Sequence, residues 1–182
     1  MRELAFAAQL NLHGDPSDAS FTEAARGLMG CPLPVAANTW TGAPGKGALW
    51  LGPDEWLVVA PDAERRALES ALRAALAGRH HSVVDVSANR TVLELSGADA
   101  RAVLAKGCTL PLHAAAFATP QCAQTVLAKS QVLLQACGTT PVFRLYVRNS
   151  FAHYVAQWLA DAAVESAASK DLDSDRIAAR LG

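Results

Sequence analysis

Apolar residues recur at helical spacing in four stretches of this chain and alternate with polar ones in much of what lies between. In SFTEAARGLMG, Phe21, Ala24, Ala25 and Leu28 share one face. Ser20 and Glu23 there have capping-box spacing, and Gly30 supplies a stop. In AERRALESALRAALAG, Leu68, Ala71, Leu72 and Ala75 form a second stripe, with Asp62 placed to cap it and Gly78 to end it. ADARAVLAK predicts a short third helix with Ala100, Val103 and Leu104 inward, Ser96 and Asp99 at its start and Gly107 at its end. A fourth begins near Asn149 or Ser150, where Phe151, Tyr154, Val155, Trp158, Leu159 and Ala162 make a wide apolar stripe. Such a stripe has to dock on a sheet or on a partner.

The intervening segments read as strands. CPLPVAANTW is extended, because its prolines exclude a helix, and TGAPGKGA is a turn or loop. ALWLGPDEWLVVAP is strand-rich and broken at Gly52-Pro53-Asp54. VDVSANRTVLELSG reads as a hairpin: Val84, Val86 and Ala88 alternate with Asp85 and Ser87, Asn89 turns, and Thr91, Leu93 and Leu95 alternate again. After CTLPLH, three more strands are expected in QCAQTVLAK, QVLLQAC and PVFRLYVR. Strand runs do not alternate one-for-one with helices, which predicts an α+β fold of mostly antiparallel sheets with packed helices. Residues 1–165 are expected to form one compact body, with a point near 80 or near 115 as the place where two subdomains would divide. The Ala- and Asp-rich stretch 166–182 is expected to be a weakly helical or mobile tail.

Composition narrows the functional classes. At 182 residues and 51% hydrophobic, the chain is long enough to bury roughly 70% of its unfolded surface without disulfide or metal. A net charge of −1 and 6% aromatics argue against a nucleic-acid surface. No apolar run approaches the length of about 18 residues that a membrane span needs. MRELAFAAQLNLHGDP lacks the basic start and long apolar run of an export leader. Cys31, Cys108, Cys122 and Cys137 lie far apart with no CxxC, and read as reduced core residues. A cytoplasmic protein is expected.

The candidate chemistry does not assemble. GAPGKG, from Gly42 to Gly47, fails as a phosphate loop: position 40 is Trp, and Gly47 stands where a hydroxyl residue should follow Lys46. No GxGxxG follows a first strand, so no dinucleotide site is expected. Adjacent His80 and His81 would point to opposite faces of a strand, His153 falls on a polar helix side, and His13 and His113 have no HxxxH or HExxH partner. Ser87 and Ser96 read as a turn former and a helix cap, and GxSxG is absent. Cys108, in KGC after a helix stop, has no evident His partner. Asp54 beside Glu55 reads as a turn former, and Asp85 as a solvent-facing or turn-bonded carboxylate that Arg90 could pair across the hairpin. No catalytic, cofactor-binding or metal-ligating residue is therefore assigned.

Several of these stretches together carry a resemblance. LGPDEWLVVAP (51–61), VVDVSANRTVLELSGADARAVLAKGCTLPLH (83–113), FATPQCAQTVLAK (117–129), RNSFAHYVAQWLADA (148–162) and AANTW (36–40) resemble the gamma subunits of heterotetrameric sarcosine oxidases. Asp85-Val86-Ser87 and Gly97-Ala98-Asp99-Ala100 also resemble the D-x-S hairpin and Gly-Pro-Asp-Ala helix start of glycine-cleavage aminomethyltransferases, with Ala98 departing from Pro. A related scaffold family carries KGCYxGQE; residues 106–113 here read KGCTLPLH, without the Gln-Glu pair. The resemblance implies a fold like the folate-binding domains of that superfamily. It implies a structural subunit with no catalytic residue of its own. The implied partners are an alpha chain with NAD and tetrahydrofolate, a beta chain with FAD, covalent FMN and the sarcosine site, and a zinc-binding delta chain. The implied reaction of the complex is oxidative demethylation of sarcosine to glycine with oxygen, giving hydrogen peroxide and methylene-tetrahydrofolate. The alternatives are a stand-alone folate-binding or aminomethyltransferase-like protein, and the equivalent subunit of an oxidoreductase acting on another N-methyl amino acid.

Overall fold

The strand that organises half of the protein is one to which the sequence reading assigns no element. AAQLNLHG forms β2 (Ala7–Gly14), preceded by the short β1 (Arg2–Leu4). Apolar and polar residues alternate along it: Ala8, Leu10 and Leu12 on one face are wholly buried, and Gln9 on the other is buried as well. The computed structural model describes residues 1–4, 6–138 and 140–164; the tail expected from residue 166 lies outside the described residues.

Two five-stranded antiparallel sheets result. The first runs in the order β3-β4-β5-β2-β6, with β3 at Trp40–Ala43, β4 at Lys46–Gly52, β5 at Glu55–Pro61 and β6 at His81–Asp85. The second runs β1-β7-β10-β9-β8, with β7 at Arg90–Ser96, β8 at Cys122–Leu127, β9 at Ser130–Ala136 and β10 at Val142–Arg148. The three strands expected after CTLPLH are β8, β9 and β10. The α+β, antiparallel expectation holds.

VDVSANRTVLELSG is not a hairpin. β6 pairs with β2 in one sheet, and β7 pairs with β1 and β10 in the other. The turn at Val86–Asn89 carries the chain from sheet to sheet. The inward phase is also displaced by one residue: Val83 is buried, whereas Val84 is 46% exposed. Of the turn or loop expected at TGAPGKGA, the structure shows the turn, in a tight hairpin. β3 pairs with β4, Gly42 and Gly45 have positive φ of 95° and 89°, and a Cβ on Gly47 would lie 2.0 Å from the Thr41 carbonyl oxygen.

The sheets stack face to face and helices cover their outer faces. Trp40, Leu49, Leu57, Val59, Val92, Cys122, Leu133 and Tyr146 fill the space between the sheets. Helices α1 (Ala19–Met29) and α2 (Arg65–Ala75) pack Phe21, Ala25, Met29, Leu72 and Leu76 onto Leu10, Leu12, Trp56, Val58 and Val83. Helix α3 (Ala100–Ala105) and the helix over 149–164, α4, cover the second sheet through Val103, Leu104, Val155 and Leu159. β5 shows why WLVVA is apolar without a break: Trp56 and Val58 face helices, Leu57 and Val59 face the other sheet.

The helix ends differ from expectation in detail. Asp18, not Ser20, caps α1, accepting from the backbone N–H of Ser20 at 2.8 Å and of Phe21 at 3.2 Å. Glu23 pairs with Arg26 at 2.7 Å and takes no part in a capping box. Gly30 closes α1 with φ 74°, as expected. Asp62 opens a 3-10 turn before α2 and lies 3.4 Å from Arg65. Ser96 ends β7, and α3 begins with Asp99 at its N-cap.

Candidate functional site

The D-x-S stretch sits where the chain passes between the sheets, and its polar groups are spent on that passage. Asp85 Oδ1 accepts from the Ser87 N–H at 2.9 Å and from the Ser87 hydroxyl at 2.5 Å, while Arg65 stands 3.8 Å from Oδ2. Burial works to raise the Asp85 carboxyl, but the two Ser87 donations and the Arg65 charge outweigh it and hold the group below its ordinary range. Ser87 Oγ accepts from the Gln9 N–H at 2.9 Å, and Gln9 Nε2 donates to the Arg90 carbonyl at 2.9 Å. From the far side, Asn149 Nδ2 donates to the Ala88 carbonyl at 2.6 Å. Arg90 does not pair with Asp85, because its strand belongs to the other sheet. A carboxylate held this way is a fixed acceptor in a turn.

The remaining candidates are likewise built into the scaffold. All four cysteines are free and buried. Burial pushes the Cys122 thiol up to about 12 and the Cys137 thiol up to about 11, away from nucleophilic thiolate character. Cys108 lies 3.8 Å from Thr125 Oγ1. Its neighbours in KGC seat α4: a Cβ on Gly107 would lie 2.5 Å from the Trp158 ring, and Lys106 Nζ donates to the Ala162 carbonyl.

The histidines do not form a ligand set. His13 and His81 lie on paired strands and line one cleft with His80 and Asp54. His13 Nε2 lies 3.4 Å from Glu55, and His81 Nδ1 lies 3.0 Å from the Arg79 carbonyl. Among the described residues no three His, Cys, Asp or Glu side chains are placed to hold a metal ion. His113 is a turn acceptor for the Ala115 N–H at 3.2 Å, and His153 is exposed on α4. Asp54 turns the chain between β4 and β5, and its carbonyl accepts from Gly14.

Two polar constructions were not foreseen from the sequence. Glu94, only 8% exposed, is clamped by Arg2 Nε at 2.8 Å and Arg144 Nε at 3.2 Å. Burial raises its carboxyl, and the two arginines more than reverse that, holding it below the carboxylate range. Arg101 donates through Nη1 to the Leu112 and Phe117 carbonyls, at 2.5 and 2.7 Å, and stacks 5.0 Å from the centroid of Phe143. It ties down the loop after α3. Cross-strand charge matching and a charged residue amid helical periodicity are the only sequence signals for either, and both need the pairing of strands to be read.

Comparison with known proteins bears on this arrangement. The family model of the sarcosine oxidase, gamma subunit family matches residues 13–165. The sarcosine oxidase subunit gamma of Arthrobacter sp. is 42% identical over 168 residues, covering 92% of this chain and 81% of that protein. That of Corynebacterium sp. (strain U-96) is 38% identical over 171 residues, covering 93% and 82%. In structure the chain is similar to a chain of heterotetrameric sarcosine oxidase from Corynebacterium sp. U-96, solved in complex with pyrrole 2-carboxylate. The TM-score is 0.83 at 38% identity, over 90% of this chain and 83% of that one. The glycine cleavage system aminomethyltransferase T of Bartonella henselae shares the fold, with a TM-score of 0.63 at 17% identity over 86% of this chain and 44% of that one. With a match across both sheets and the helices that cover them, the chain belongs to the sarcosine oxidase, gamma subunit family.

Proposed function

We propose that this chain is the gamma subunit of a heterotetrameric, flavin-dependent sarcosine oxidase and acts in it as a structural, assembly-bearing chain, with residues 1–165 as one body. The observation that carries the reading is the 38% identity and TM-score of 0.83 to a chain of a heterotetrameric sarcosine oxidase. A non-catalytic role is supported by where the reactive groups are. Asp85 and Ser87 stitch a turn, Glu94 is locked between two arginines, and the cysteines are buried. Each is committed to holding the described sheets and helices together.

In this reading the redox chemistry lies in alpha, beta and delta partners. Flavins and NAD would supply electron transfer there, and tetrahydrofolate would take up the one-carbon unit. Among the described residues no donor set fits a zinc ion, which the reading places in the delta partner. The aminomethyltransferase likeness supports a common fold, without a folate site in this chain.

Co-expression with the large subunits and the small zinc-binding chain is expected to give a complex that survives gel filtration and oxidises sarcosine. The chain alone is expected to bind no flavin and turn over no sarcosine. Failure of the purified chains to associate would overturn the subunit role, and sarcosine turnover by this chain alone would overturn the non-catalytic one.

A further inference from the structure

On the inner face of β7 and β10, cross-strand register sets Glu94 opposite Arg144, Val92 opposite Tyr146, and Arg90 opposite Arg148. The first pair is a matched ion pair and the second is packed core. The third is two cations facing each other, an arrangement that destabilises a sheet. Arg90 is also half-buried. Burial and the Arg148 charge both push its guanidinium below the ordinary range, and Glu55 offsets this only in part. Glu55 is itself engaged, accepting from Asn11 Nδ2 at 2.7 Å and lying 3.4 Å from His13 Nε2. Among the described residues, neither guanidinium forms an ion pair or a hydrogen bond, whereas Arg2, Arg144 and Arg65 each have a carboxylate.

A cavity of about 280 Å³ opens over the two arginines, with Gln124, Gln131, Leu133 and Tyr146 also lining it. Gln124 stands opposite Leu133, and Leu133 opposite Tyr146, so the lining is one continuous strip across four strands. The volume lies just below the range for drug-sized ligand sites, roughly 300 Å³ upward, and suits a small anion. Planar guanidinium forks match carboxylate geometry in pairs of hydrogen bonds. We infer that the Arg90–Arg148 cavity is a carboxylate-binding site, filled either by a small organic acid or by an acidic side chain of a protein partner. The anion relieves the repulsion that the register imposes. Only the second source rests on the subunit reading.

Two arms of one experiment separate the sources. The full-length wild type, Arg90→Gln and Arg148→Gln are titrated with succinate at low ionic strength, with succinamide as the neutral control, and followed by melting temperature and calorimetry. Without ligand, Arg148→Gln is expected to melt at or above the wild-type temperature, because one of two opposed charges is gone. Succinate is expected to raise the wild-type melting temperature, succinamide is not, and either substitution is expected to weaken succinate binding about tenfold or more. If succinate has no effect but either substitution weakens assembly with the partner chains by a similar factor, the carboxylate comes from the partner. The inference is overturned if Arg148→Gln without ligand is clearly less stable than wild type. Equal stabilisation of all three chains by succinate also overturns it. So does indifference to succinate together with unaltered assembly, or with no assembly of the wild type.

Discussion

At the scale of single residues, Glu94 shows how charge is admitted between two sheets. It is buried, so desolvation opposes its ionised form, and two arginines reached from different strands reverse that. Its folded carboxyl therefore holds a proton less readily than in the unfolded chain. The stability it contributes is fully present above the unfolded value of about 4.3 and is lost as pH falls through the lower folded value. Glu94→Gln is expected to cost about 1–3 kcal/mol at pH 7. In urea unfolding from pH 7 to pH 3 the gap to wild type should narrow toward the acid end; a pH-independent gap would refute the clamp. Capping at α1 shows what residue types leave undecided. Asp18 and Ser20 are both good cap formers two positions apart, and the spacing to Glu23 favours Ser20. Backbone geometry selects Asp18, whose φ and ψ are extended while Ser20 is already helical.

At the scale of elements, α4 tests how far a hydrophobic stripe predicts burial. Six apolar residues share the stripe, yet Val155, Leu159 and Ala162 are buried while Phe151 and Tyr154 are 42% and 36% exposed. The apolar arc is wider than the sheet surface it covers. Leu159→Ala is expected to destabilise the chain by about 2–5 kcal/mol through the cavity it leaves. Phe151→Ala is expected to stay within about 0.5 kcal/mol, and equal losses in the two variants by chemical denaturation would contradict this placement of the helix. The segment 84–97 is the element most misread from sequence. Two alternating runs around Asn89 satisfy every local rule for a hairpin, but local rules do not say which strand each run pairs with. β6 finds β2 and β7 finds β10. The missed β2 failed in the other direction: its alternation was present, and no turn or cap marked its start.

At the scale of the whole molecule, the two stacked sheets put three of the cysteines in two outer cores and at the interface between sheets, and bury Cys137 as well. Cys31 lies under α1, Cys108 under α4, and Cys122 between the sheets. All four thiols are expected to resist a water-soluble disulfide reagent in the native state and to react together on global unfolding. One thiol reacting at its model-peptide rate in the folded chain would show that its layer opens separately. Most helices, the strand-rich segments and the antiparallel α+β class were determined by the sequence alone, because period 3.6, period 2, caps and prolines act over neighbouring residues. Only the tertiary structure decided that VDVSANR crosses between sheets, that Asp85 and Ser87 serve a turn, and that Arg90 faces Arg148. Those facts depend on pairings between strands far apart in the chain, and register is set by the burial of whole faces, which no local pattern encodes.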